Sequence, residues 1–230
     1  IGCIPQCGFS VAASNLYAGR LITIGTLMAV YISTSDEAIP IMIAHPNQIG
    51  MIWKLLLIKV ILATAAGILI DIVIKIVNKK NTKVEEPFVE LCSHCGCDHS
   101  ITLSALKHTL NIFIFILIVN LFLNGAIQVV GEHTFTNFLQ SIKIFQPAIA
   151  GLVGLIPNCA ASVILTQLYV EGGLTFGSLI AGLSTGAGLG VVVLFRANKN
   201  LKQNLLILVG LYIIGTAAGM IIDVLGFAGV

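Results

Sequence analysis

Charge is what this sequence has least of. Twelve basic and ten acidic residues among 230 amount to 10%, where a soluble domain carries roughly a quarter. Mean hydropathy is +1.02. The 57% of hydrophobic residues come in long blocks that no single core can absorb. A water-soluble globular domain is thereby excluded, and so is disorder. A net charge of +2 provides no basic field for a nucleic-acid partner. Six cysteines in so apolar a chain do not make a secreted disulfide scaffold. There is no His-Glu-x-x-His zinc motif, no cofactor loop and no Gly-rich phosphate loop. An initiator methionine and a signal-peptide n-region are missing too. The chain opens inside an apolar motif, which reads as a fragment whose natural amino terminus lies upstream.

What is present is an all-α integral membrane protein, partnered by the lipid bilayer. A spanning helix takes about 20 mostly apolar residues. Stretches 21–44, 53–77, 105–130 and 203–226 meet that requirement, and glycine-rich 173–195 makes a fifth. Segments 1–17 and 145–170 do not read as simple spans. Each carries a proline, a polar residue and a cysteine in a row, Pro5-Gln6-Cys7 and Pro157-Asn158-Cys159. Proline breaks a helix, and broken backbone at membrane depth survives only where protein or a watery cavity surrounds it. A long polar stretch, 78–102, and an amphipathic piece, 131–143, lie between spans.

The chain repeats itself at an offset of 152 residues. Gly2, Ile4, Pro5, Cys7, Ser10, Val11, Leu16 and Tyr17 match Gly154, Ile156, Pro157, Cys159, Ser162, Val163, Leu168 and Tyr169. With Thr23, Gly25, Leu27 and Ala29 against Thr175, Gly177, Leu179 and Ala181, 36 positions hold 12 identities, where chance gives about 4. The register continues without a gap to Thr64-Ala65-Ala66-Gly67 and Asp71 against Thr216-Ala217-Ala218-Gly219 and Asp223. The organisation expected is a first repeat at 1–77 lacking its opening span, a cytoplasmic loop at 78–102 and a second repeat at 103–230.

Lys and Arg concentrate on cytoplasmic loops. Lys75, Lys79, Lys80 and Lys83 put loop 78–102 inside, and Arg196, Lys199 and Lys202 do the same for the loop before the last span. The loop equivalent to the latter, His45 to Ile52, then falls outside, so the repeats are inverted. One crossing is left between 131 and 196. The preferred parse gives it to 173–195 and makes 145–170 and 1–17 re-entrant hairpins, with Arg20 inside and Glu171 outside. A competing parse lets 145–170 cross and breaks 173–195 at Ser184-Thr185-Gly186.

Inverted repeats with discontinuous helices at mid-membrane are the mark of secondary transporters. The two hairpin tips offer Gln6, Cys7 and Ser10 against Asn158, Cys159 and Ser162 as a substrate path for a metal or metalloid ion or oxyacid. For one copy alone, Pro as a kink, Cys as a small hydrophobe and Ser bonded back to a carbonyl would account for them. Ser14 and Asn15, equivalent to Thr166 and Gln167, either line that path or cap helices. Ser33-Thr34-Ser35-Asp36-Glu37 sets two carboxylates in an apolar span, where an acid is functional by default. The matching stretch from Ser184 to Leu189 keeps Ser184 and Thr185 but has glycine and leucine for the acids. Asp36 leads Glu37 as a coupling site; the alternative places both at the outer interface. Asp71 and Asp223, after small residues that allow close helix contact, read as structural anchors, like Pro5 and Pro157.

Cys92, His94, Cys95, Cys97 and His99 crowd into eight residues with the donor set of a thiophilic metal site. A metal ion is expected there, in a sensor, a metal-receiving platform or a structural clip, and no cofactor is required. His108 and His133 read as interfacial. A passive channel would use the same hairpins without a coupling acid. An intramembrane thiol-dependent redox enzyme would rest on Cys7 and Cys159, though no nucleophile–base pair supports it.

Ile4-Pro5-Gln6-Cys7-Gly8-Phe9-Ser10, Leu155-Ile156-Pro157-Asn158-Cys159, Leu16-Tyr17-Ala18-Gly19-Arg20 and Ser33-Thr34-Ser35-Asp36-Glu37-Ala38 resemble the ten-transmembrane heavy-metal exporter family. Its members are labelled arsenic efflux protein or manganese transporter. The resemblance implies five membrane segments per repeat, an upstream segment equivalent to 101–152, and export across a prokaryotic cytoplasmic membrane. It assigns no binding residue, ion or oligomeric state.

Overall fold

The computed structural model describes residues 8–34, 38–45, 49–78 and 145–226, with single positions at 110, 114, 117, 118 and 121. Among them there is no strand. The helices are α1 (Gly8–Ala18), α2 (Ile24–Ser33), α3 (Ala38–Ile43), α4 (Ile49–Asn78), α5 (Gln146–Gly154), α6 (Cys159–Val170), α7 (Phe176–Thr185), α8 (Leu189–Ala197) and α9 (Leu201–Val224). Loop 78–102, save for Asn78, and piece 131–143 lie outside the described residues, as does most of 105–130.

Among the described residues, three segments are long and apolar enough to cross a bilayer: Gly50–Ile76, Phe176–Ala197 and Leu201–Val224. At 1.5 Å per residue, the 30 residues of α4 reach about 45 Å. The first and last are only 22% and 28% buried over their most apolar windows, against 78% for the middle one. Trp53, Ile61, Ile68 and Leu69 on α4, and Leu206, Ile213 and Ile221 on α9, stand exposed. Apolar side chains facing outward on helices this long have hydrocarbon as their natural solvent. The chain is an integral membrane protein, with α4 and α9 towards lipid and α7–α8 enclosed.

Stretches 21–44 and 173–195, expected as uninterrupted spans, are both interrupted. The helix α2 stops at Ser33; Thr34 is extended (φ −63°, ψ 131°). Ser33 and Thr34 turn their hydroxyls back onto the Val30 carbonyl, at 2.9 and 2.8 Å, a local bond that competes with the helix ladder. The helix α7 stops at Thr185, and Gly188 takes the left-handed φ of +52° that a side chain disfavours. The second break adjoins the Ser184-Thr185-Gly186 site of the competing parse. A third break, Leu155 to Asn158, holds Pro157 and separates α5 from α6.

Elements α1 to α4 recur as α6 to α9 at the 152-residue offset. Thr23 and Thr175 cap α2 and α7 in the same way, each Oγ1 accepting at 3.1 Å from the backbone N–H three residues on. The cores recur too. Leu27, Met28 and Tyr31 lie buried in one cluster, Leu179, Ile180 and Leu183 in the other. Arg20 (φ +59°) and Gly172 (φ +77°) turn the chain at equivalent places.

Packing crosses between the two sets. Helix α1 lies chiefly against α8, and α6 touches α3 as well as α7, while α2 packs on α4 and α7 on α9. The last two crossings are tight. A methyl on Gly67 would stand 2.8 Å from the Gly25 carbonyl oxygen and 3.0 Å from Ala29 Cβ; one on Gly219 would stand 2.7 Å from Ala181 Cβ. Only glycine lets the backbones approach so closely.

Candidate functional site

The polar centre of the fold lies where the two interrupted helices end. Lys59 projects from the middle of α4, and it is the one charged side chain among the described residues with no solvent exposure. Its Nζ donates to the carbonyl of Thr34, just past the end of α2, and to the carbonyl of Leu183, in the last turn of α7, at 2.9 Å. One ammonium thus reaches both breaks. A buried charge costs several kcal/mol unless it is bonded. Helix carboxyl ends, with carbonyls lacking intrahelical donors and a partial negative charge, are suited partners. The equivalent of Lys59 in α9 is Leu211, packed in an apolar cluster, so the charge is present once.

Polar groups gather at these breaks. Ser33, Thr34, Ser184 and Thr185 are all buried. Thr185 Oγ1 donates to the Gly151 carbonyl at 2.8 Å and the Gly182 carbonyl at 2.9 Å, tying α7 to α5. Ser184 Oγ is buried without a hydrogen-bond partner among the described residues. That is unusual, because a buried hydroxyl left unpaired costs about 1–3 kcal/mol.

Beside the second break, a methyl on Gly190 at the start of α8 would stand 2.8 Å from Ser10 Cβ on α1. Ser14, one turn further, has its Oγ 2.7 Å from the carbonyls of both Ser10 and Gly190 and 2.6 Å from Tyr31 Oη. A hydroxyl has one hydrogen. With Ser14 donating to the carbonyls, the Tyr31 O–H must donate to Ser14. This knot joins α1, α2 and α8.

On the other side Asn158 is buried and caps α6, its Oδ1 accepting from Ala160 N–H at 3.3 Å. Cys159 and Ser162, on the first turns of α6, are half-buried. Ser162 gives its carbonyl to Thr166 Oγ1 at 2.7 Å. Gln146, which the sequence did not single out, is buried and braces the start of α7: its Nε2 donates to the Gly173 carbonyl at 2.9 Å and its Oε1 accepts from Thr175 N–H at 3.2 Å.

Asp71 and Asp223 occupy matching niches. Asp71 Oδ1 accepts from Gly25 N–H at 2.9 Å and Oδ2 from Thr23 Oγ1 at 2.7 Å. Asp223 does the same with Gly177 and Thr175 at the same two distances. Each carboxylate stands at a helix amino terminus, where negative charge is favoured.

Ser10, Ser33, Thr34, Ser184 and Thr185 are thus brought to the surroundings of the two breaks, and Asn158, Cys159 and Ser162 to the start of α6. Pro5, Gln6, Cys7, Asp36 and Glu37 lie outside the described residues, and so do Cys92, His94, Cys95, Cys97 and His99. Among the described residues no three His, Cys, Asp or Glu side chains gather as a metal site. Lys59 was missed, although a lone lysine in an apolar run of this length is itself a signal of a buried polar site.

Residues 116–229, just under half of the chain, match the family described as "Putative, 10TM heavy-metal exporter". The match covers α5 to α9, so the family resemblance is shown over that part. No curated protein and no solved structure matches the chain.

Proposed function

We propose, proceeding from this family match, that the chain is a secondary transporter exporting a heavy-metal or metalloid species, of the arsenic or manganese class, by alternating access. The observation that carries the reading is the Lys59 ammonium bonded at once to the ends of α2 and α7. Discontinuous helices meeting inside a bilayer build the substrate and ion sites of many secondary transporters, because their ends carry partial charge and free backbone groups. The two sets α1–α4 and α6–α9 are read as inverted repeats, within 1–77 and 103–230, and the Lys and Arg distribution supports that orientation. The break at Pro157 is read as a re-entrant tip, and Pro5, its equivalent in the sequence repeat, as the expected second tip, with Cys159 and Cys7 lining the path.

Asp36 is assigned the coupling role. In sequence it stands two residues beyond Thr34, whose carbonyl Lys59 holds, and an acid within an apolar span is functional by default. The Cys92–His99 loop is read as a cytoplasmic platform that receives the metal, and the membrane as the inner membrane of a prokaryote.

The test is the intracellular content of arsenic, manganese and other heavy metals in cells lacking their own exporters, with and without the full-length protein. One element is expected to fall, and Asp36→Asn to restore its level. Unchanged contents of every element would overturn the reading. Undiminished flux down a gradient with Asp36→Asn would make the protein a channel. Cys7→Ser with Cys159→Ser is expected to weaken export without abolishing it; complete loss with metal binding intact would favour the thiol-dependent enzyme.

A further inference from the structure

In transporters with interrupted helices, carbonyls freed at a break and the carboxyl ends of half-helices coordinate the coupling cation. Here such a seat is furnished by the Thr34 carbonyl past α2 and the Leu183 carbonyl in the last turn of α7, and Lys59 Nζ already sits in it. We infer that Lys59 is a tethered cation filling this seat, so that the protein takes up no sodium or potassium ion there as a co-substrate. The word co-substrate rests on the transporter reading; the occupancy does not.

Charge balance supports the assignment. Each helix carboxyl end carries roughly half a negative charge. The ends of α2 and α7 together present about one unit, which one ammonium neutralises. Burial agrees, since the Lys59 side chain has no solvent exposure and its ammonium is therefore held by protein groups rather than by water. Asymmetry agrees as well. Leu211 replaces the lysine at the equivalent place on α9, so one ammonium serves both breaks, and the seat exists once per pair of helices. Ser184, next to Leu183 in sequence, keeps a buried hydroxyl that has no partner among the described residues.

Thermal melting of the purified full-length protein tests this, at equal ionic strength in choline, sodium, potassium or ethylammonium chloride. The wild type is expected to melt within about 1 °C of the same temperature in all four salts. Lys59→Ala strips two buried carbonyls of their donor, and its Tm in choline should fall by roughly 5–10 °C. Sodium, potassium or ethylammonium should recover at least about half of that loss in a saturable way, because each is small enough to enter the vacated seat. Lys59→Met, whose uncharged chain still fills the space, should melt low and stay low in every salt.

A wild-type Tm that rises saturably with sodium or potassium would overturn the inference, as would a Lys59→Ala protein that choline restores as well as sodium does, or that no cation restores. Should Lys59→Ala not survive purification, Lys59→Arg keeps a cation in place and is expected to melt independently of sodium; dependence on sodium would count against the tethered cation. These melts do not require transport, so a negative metal-content experiment and a negative melting experiment are separate results.

Discussion

Asp71 and Asp223 make the sharpest stability prediction, because the fold performs the experiment twice. Replacing Asp223 with alanine removes the acceptor of the Gly177 N–H at 2.9 Å and of the Thr175 hydroxyl at 2.7 Å. A hydrogen bond to a charged group contributes about 1.5–3 kcal/mol, and a carboxylate at a helix amino terminus about 0.3–1 kcal/mol more. Thr23 and Thr175 are exposed, so water takes over part of each bond and the lower end applies. The expected loss is about 2–3 kcal/mol, which at 2–4 °C per kcal/mol lowers Tm by roughly 5–10 °C. Asp71→Ala should cost the same within about a factor of two. Asp223→Asn keeps one acceptor oxygen and should lose less than half as much. The assay is melting in detergent at a fixed scan rate, paired with metal efflux per folded molecule, which should stay within about twofold of wild type. A Tm change below about 1 °C would refute the anchoring account. Lost efflux at full stability would move the aspartates from the scaffold to the transport path.

Further outcomes follow from packing, hydrogen bonding and backbone conformation. Gly67→Ala and Gly219→Ala each force a methyl into the opposing helix and should lower stability by about 1–3 kcal/mol, read by the same melts. Ser14→Ala takes away the acceptor of the buried Tyr31 hydroxyl and should cost about 1–3 kcal/mol. Adding Tyr31→Phe should then cost less than the sum of the two single changes, a coupling visible in a double-mutant cycle. Thr185→Val removes the hydroxyl that ties α7 to α5 and should cost about 1 kcal/mol, with a Tm drop of a few degrees. Gly172→Ala meets no neighbour within 4 Å but adopts φ +77°, so its cost, about 1 kcal/mol, comes from the backbone alone.

Long apolar runs and the 152-residue repeat were legible in the sequence because both leave many correlated residues. The Thr-Ala-Ala-Gly and Asp pairs stood out for the same reason, and the repeated Asp71 and Asp223 contacts occupy the same register. The breaks at 34 and 186–188 were harder to see. No proline marks them, and the signals are a pair of hydroxyls turned onto Val30 and a glycine at φ +52°. Lys59 is hard to see because the repeat marks only duplicated residues, and Leu211 stands where a second lysine would be. Hydropathy averaging hides it further, since one ammonium among some 20 apolar neighbours barely lowers a span's mean. Gln146 has no counterpart at the 152-residue offset within the sequence, so the repeat does not mark it.

The exchange of partners between the two sets of helices has a mechanical consequence. Since α1 is clasped by α8 and α6 reaches α3, neither set of four closes upon itself, and a cut made in chain order would strip both of their lining. Under the alternating-access reading proposed above, rocking would divide the molecule along a different seam. On that reading the glycine-knit pairs α2–α4 and α7–α9 are the expected frame, and the couples α1–α8 and α3–α6, each drawn from both ends of the polypeptide, the expected moving parts.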